Sequence, residues 1–126
     1  MRNVIIAVLA FIVMIALMFF SINYLNKISS NLQKLNDDLE QYITDDNWDK
    51  AYKSSMEFTH RWEKHSKIIK VFVNHQEIDN VEMELWKLPQ YVKQHTKDEA
   101  LASVHVLKFI LAHISNLEKV NLQNIF

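Results

Sequence analysis

Six histidines, His60, His65, His75, His95, His105 and His113, are the side chains of this 126-residue chain with most capacity for chemistry. A helix offers a metal two ligands when they lie one turn apart, because residues three or four apart share a face. No two histidines have that spacing. The nearest approach to a ligand set is His75, Asp79 and Glu82, at steps of four and three. One imidazole nitrogen and two carboxylates on one face would suit a divalent ion. The same acids also suit the plain role of meeting the positive end of a helix.

A second constellation is aromatic. Trp62, His65, Ile69 and Phe72 recur at helical spacing. Such a stripe could line a ligand pocket or bury a pH-responsive imidazole, and it also reads as ordinary core with a satisfied histidine. Trp86 falls off the inward stripe of its own segment, and Phe126 ends an apolar tail. Both are candidates for a partner surface, where aromatic side chains are favoured. Trp48 reads as core.

Composition removes several classes of chemistry. The chain has no Gly. Phosphate-cradling loops and nucleophile elbows need glycine for close backbone approach or a sharp turn, so neither is expected. With no Cys there is no thiol nucleophile, thiolate zinc site, iron–sulfur cluster, disulfide or lipid-modified cysteine. No Ser/His/Asp arrangement has an oxyanion loop beside it. No catalysis and no cofactor are therefore expected.

The elements that must position these residues are helical. Zero Gly and a single Pro leave too few turn residues for an all-β fold. Apolar positions Ile22, Leu25, Ile28, Leu32, Leu35, Leu39 and Tyr42 mark a first amphipathic helix over 22–43. Thr44 to Asn47 reads as a break, with Asp46 as the next N-cap. A second helix is expected from Trp48 to Val73, and Asn74 with Glu77 has the form of a cap for a third, running to about His95. Pro89 lies inside that third helix, where a kink or break is expected. Thr96-Lys97-Asp98-Glu99 is a capping box for a fourth helix ending near Ser115. The tail with Val120, Leu122, Ile125 and Phe126 is expected to dock on the bundle. Asp49-Lys50-Ala51 and Asp98-Glu99-Ala100 each follow a cap, 49 residues apart. This faint echo suggests two helical hairpins, in a fold that is all-α: an antiparallel, roughly four-helix bundle.

Ahead of these helices stands an unbroken apolar run from Val4 to Phe20, VIIAVLAFIVMIALMFF. At about 1.5 Å per residue it matches the hydrocarbon thickness of a bilayer. A cleaved signal would need a shorter run and small residues at the cut, yet Phe19 and Asn23 occupy the relevant positions. A buried core helix that is apolar all round would need more cover than this chain supplies. The run is read as a transmembrane anchor, residues 1–23, followed by a helical domain over 24–126. It holds no charge and no Gly, so it shows neither an ion path nor a close-packing dimer motif. Phe19, Phe20 and Tyr24 would form an interfacial girdle, and Arg2 on the short side favours N-terminus in, C-terminus out. Arg2 is the only charge before Tyr24, so the domain carries 13 basic against 15 acidic side chains. That balance argues against a nucleic-acid partner.

Trp62, His65, Ile68, Phe72, His75, Glu77, Ile78 and Asp79, together with Asn47-Trp48-Asp49-Lys50-Ala51 and the ending LKFILAHI…EKVNLQNIF, carry a resemblance. The chain is similar to a family of small clostridial membrane proteins, domain of unknown function 4363. The resemblance implies a Gram-positive source and a single anchored helical domain. It implies no activity and assigns no role to His65, His75, Glu77 or Asp79.

The expectation is a single-pass cell-membrane protein that is not an enzyme. Its partners would be the lipid bilayer and another membrane or envelope protein, bound on a helical surface. The alternative is a sensor or binding module for a small ligand, metal ion or proton using His65, His75 and Asp79.

Overall fold

A computed structural model describes the backbone of residues 1–125 and the side chains of residues 1–116. Four helices make up the fold: α1 over Arg2–Thr44, α2 over Trp48–Phe72, α3 over His75–Lys93 and α4 over Lys97–Ile125. Short turns join them, so neighbours in sequence run antiparallel. α1 packs on α2 and α4, and α3 packs on α2 and α4. The ring is closed, which makes this a four-helix bundle of two hairpins rather than an open stack of them.

α1 has two halves with opposite surroundings. Residues 22–43 place Ile22, Leu25, Ile28, Leu32, Leu35, Leu39 and Ile43 in the core. The inward stripe ends on Ile43; Tyr42, read as inward from spacing alone, is only partly buried. The N-terminal half stands outside the bundle with its apolar side chains exposed, Phe20 by 70% and Leu17 by 61%. It is one helix long and apolar enough to cross a membrane, close to the N-terminus.

The core is a single cluster to which all four helices contribute. α2 adds Ala51, Phe58, Trp62 and Ile69; α3 adds Ile78, Val81, Leu85, Leu88 and Val92; α4 adds Ala100, Val104, Leu107, Ile110, Leu111 and Ile114. Phe72, placed on the inward stripe by spacing, is 45% exposed. Two polar side chains on α1 cross the core to α4. The Asn36 amide donates to the Val104 carbonyl at 3.0 Å, and the Ser29 hydroxyl to that of Leu111 at 3.3 Å. Together they fix the register of α1 against α4.

The two hairpin turns are copies of one another. Asn47 N–H reaches the Tyr42 carbonyl at 2.8 Å and Asp46 N–H that of Ile43 at 3.1 Å; Thr96 and His95 repeat this to Tyr91 and Val92 at 2.9 and 3.1 Å. This is the Schellman closure of a helix, whose last residue must be left-handed. Asp46 and His95 take that position, with φ of 57° and 56°. Glycine would normally sit there; in a chain without glycine the task falls to Asp and His, which tolerate it better than most residues. The echo 49 residues apart is therefore longer than its Asp-x-Ala core. Gln41-Tyr42-Ile43 matches Gln90-Tyr91-Val92, and Ala51 matches Ala100, both fully buried.

Three boundaries differ from expectation. Asp46 closes α1 and Asn47 caps α2, its side chain accepting from the Lys50 N–H at 3.4 Å. The Thr96 hydroxyl donates backward to the Tyr91 carbonyl at 3.1 Å, so it serves the end of α3. α4 continues to Ile125, well past Ser115. α3 runs through Pro89 unbroken, with Leu88 and Val92 fully buried on either side of it. The expected docking of Val120, Leu122, Ile125 and Phe126 concerns side chains outside the described residues.

Candidate functional site

His65 sits on the inner edge of α2, half-buried, where that helix passes the first residues of the bundle half of α1. Its Nδ1 and the Tyr24 hydroxyl are 2.8 Å apart, with the rings edge to face at 5.9 Å. Burial lowers the His65 pKa below 6.5, and the nearby Lys64 charge lowers it further. Both causes favour the neutral imidazole, which can share a hydrogen bond with the Tyr24 hydroxyl as donor or acceptor according to its tautomer. One turn before it, Trp62 is 2% exposed and its indole N–H has no partner among the described residues.

Trp62 also forms the floor of a shallow cleft of about 350 Å³ between α2 and α3, whose walls include Ser66, Lys70, Glu82, Leu85 and Trp86. Trp86 stands at its rim with 80% of its surface exposed. The outward position read from its spacing is therefore its position in the fold. Lys70 and Glu82 close one end of the cleft with an ion pair at 3.2 Å. The cleft thus joins an indole platform to one basic side chain, Lys70, and two acidic ones, Glu63 and Glu82, a surface suited to a protein segment with an apolar anchor and polar flanks.

The metal constellation is not assembled. Among the described residues no three His, Asp or Glu side chains are placed to hold an ion. His75 and Asp79 are exposed, and the Glu82 carboxylate is turned to Lys70 on the neighbouring helix. Spacing put these residues on one helical face, but a face is not a convergent site. Phe126, the remaining candidate, lies outside the described residues.

Three histidines that spacing did not single out make tertiary contacts. His105 meets Glu40 at 3.0 Å across α1 and α4, and His113 meets Glu77 at 3.1 Å across α3 and α4. The His105 hydrogen bond, aided by the Lys108 charge, holds the Glu40 carboxyl below 4.5, against a partial burial that pulls it up. His95 stacks face to face on Trp48, centroids 4.7 Å apart and planes within 7°. Each contact joins residues at least 36 apart in sequence, so only the helix order and register could have revealed it.

No curated protein and no solved structure matches the chain. A family model described as Domain of unknown function (DUF4363) matches residues 19–125, from the end of the apolar run through all four helices of the bundle. The chain belongs to that family.

Proposed function

We propose that this protein is a non-catalytic accessory subunit, anchored in the cell membrane by the N-terminal half of α1 with its N-terminus inside. The bundle then stands on the outer surface and offers the cleft beside Trp86 to another membrane or envelope protein. One observation carries the reading: the apolar half of α1 leaves the closed bundle as a rod whose large apolar side chains between Val4 and Leu17 are, with the exception of the partly covered Ile15, exposed among the described residues. In water such a rod would cost roughly 25 cal/mol for every Å² of apolar surface left exposed, and a bilayer removes that cost. Tethering confines the bundle to a thin layer above the lipid. Even a weak contact at the cleft then acts at high effective concentration toward another membrane-bound partner.

The test is co-purification from native membranes with the full chain and with Trp86→Ser. A partner retained by the parent and lost from the variant supports the reading. Monomer alone at every detergent strength contradicts it.

A second reading has one observation in its favour. The Tyr24–His65 bond ties α1 to α2 just past the rod, at an imidazole whose burial disfavours the protonated form. A proton-responsive module would use this contact, and the pH experiment below addresses it.

A further inference from the structure

We propose that the last turns of α2 form a second membrane contact, an apolar wedge resting in the outer leaflet under a row of lysines that meets anionic lipid headgroups. The proposal rests on the anchor reading above and adds a surface to it. Ile68, Val71 and Phe72 are 46, 75 and 45% exposed, an apolar patch on a helix whose other face is in the core. Immediately before it on the same outward face come Lys64 and Lys67, both exposed. Neither makes an ion pair among the described residues, whereas Lys70 is held by Glu82.

The height of this patch gives it meaning. The Tyr24–His65 bond sets α1 against antiparallel α2. Phe72 lies seven residues beyond His65, about 10 Å at the rise of a helix. The same step from Tyr24 toward the N-terminus reaches Leu17, inside the apolar rod. Ile68 and Val71 fall level with Ser21 and Met18 by the same count. On α1 the sequence changes from apolar to polar at Phe20 and Ser21; on α2 the exposed apolar side chains begin at Ile68, with Lys70 among them paired to Glu82, and end at Phe72, ahead of the exposed Asn74, His75 and Gln76 of the next turn. Two helices joined in sequence at the far end of the bundle thus begin their exposed apolar side chains at one level. A bilayer interface gives a reason for that coincidence. Lysines above an apolar patch can lay their stems along the acyl boundary and place the ammonium groups among headgroups. An anionic leaflet attracts such charges when they lie within a Debye length of it.

The chain contains no Cys, so single cysteines at chosen sites take one label each. The full-length protein would be reconstituted in phosphatidylcholine vesicles, with and without phosphatidylglycerol. An environment-sensitive fluorophore would be placed at Val71→Cys, at Ile12→Cys in the rod, and at Asp45→Cys in the far turn, and lipids carrying quenchers on their acyl chains added. The wedge predicts blue-shifted, quenched emission at positions 12 and 71 and water-like, unquenched emission at 45. It further predicts that phosphatidylglycerol deepens the signal at 71 and that Lys64→Glu with Lys67→Glu abolishes that gain. Quenching at 12 without quenching at 71 overturns the wedge and leaves the anchor standing. Absence of quenching at both sites overturns the anchor and the wedge with it. Equal quenching at 45 would mean that the whole bundle adsorbs to lipid, which also overturns the wedge. A signal at 71 indifferent to phosphatidylglycerol overturns the role given to the lysines. Far-ultraviolet circular dichroism on each labelled protein separates these outcomes from misfolding.

Discussion

Tyr24 and His65 join α1 to α2 through a 2.8 Å hydrogen bond placed one turn beyond the end of the apolar rod. Because burial and Lys64 hold the His65 pKa below 6.5, the folded protein binds fewer protons at this site than the unfolded chain between that lowered value and 6.5. Stability therefore rises with pH across the window. The contribution is whole above 6.5 and is lost as the pH falls through the folded value. Urea unfolding of the full chain in detergent should show the midpoint dropping on acidification through this range, and His65→Gln should flatten the drop. A parent profile that is level there would remove the site from any proton-sensing role.

A second, more acidic step belongs to Glu40. Its carboxyl is held below 4.5 by the His105 hydrogen bond first and by Lys108 after it. This contribution is present above 4.5 and is lost as the pH falls through the lowered value. The Glu40 side chain is 30% exposed and its partners more so, so the step should be small. Glu40→Gln should erase it without altering the step assigned to His65, which the same titration of unfolding would resolve.

Phe58 is fully buried at the centre of the bundle, while Phe109 is 73% exposed. Phe58→Ala should cost about 3–5 kcal/mol, the transfer free energy of the ring together with the cavity it leaves. Phe109→Ala should stay within about 0.5 kcal/mol. Denaturant titration with constant slope distinguishes the two. Similar losses at both sites would mean that α4 is rotated relative to the packing described here.

Asn36 is fully buried, gives one hydrogen bond to the Val104 carbonyl and leaves its own carbonyl oxygen without a partner among the described residues. Replacing it with Leu removes an unsatisfied polar atom and adds apolar packing. Asn36→Leu should therefore hold or raise the melting temperature. What it should lose is uniqueness, since a buried amide penalises every other register of α1 against α4. Amide NMR spectra with extra or broadened peaks in α1 and α4 would show this. A large fall in stability would contradict it.

His95 combines a left-handed backbone with a stack on Trp48. His95→Ala keeps the strained backbone and loses the stack, for a loss of about 1 kcal/mol. His95→Gly also loses the stack but relieves the left-handed strain, so it should be the milder change. The order of the two unfolding midpoints is the check.

Much of this fold is legible in the sequence because helical periodicity reports burial directly. Ile78, Val81, Leu85, Leu88 and Val92 follow one stripe and all five are buried. Phe72 shows the limit of periodicity: it has the right spacing, but the last turn of α2 buries Ile69 and then Val73, its C-terminal neighbour, which leaves Phe72 on the outer side. Spacing also overstated His75, Asp79 and Glu82, since a shared face says nothing of what the next helix offers, here Lys70. Trp86 was legible as a surface residue because it broke its stripe. The His65–Tyr24 and His95–Trp48 contacts were not, because they depend on the register between helices. Matched turns set that register, as Asn36 and Ser29 set that of α1 against α4, and no single-helix pattern reveals either.

The anchoring of α1 in lipid is tested most directly by alkaline carbonate extraction of native membranes holding the full chain, followed by mass determination of the protein in each fraction. The expected result is an intact chain, residues 4–20 included, that stays with the membrane pellet. An intact chain released to the supernatant, or a soluble product lacking those residues, would contradict it.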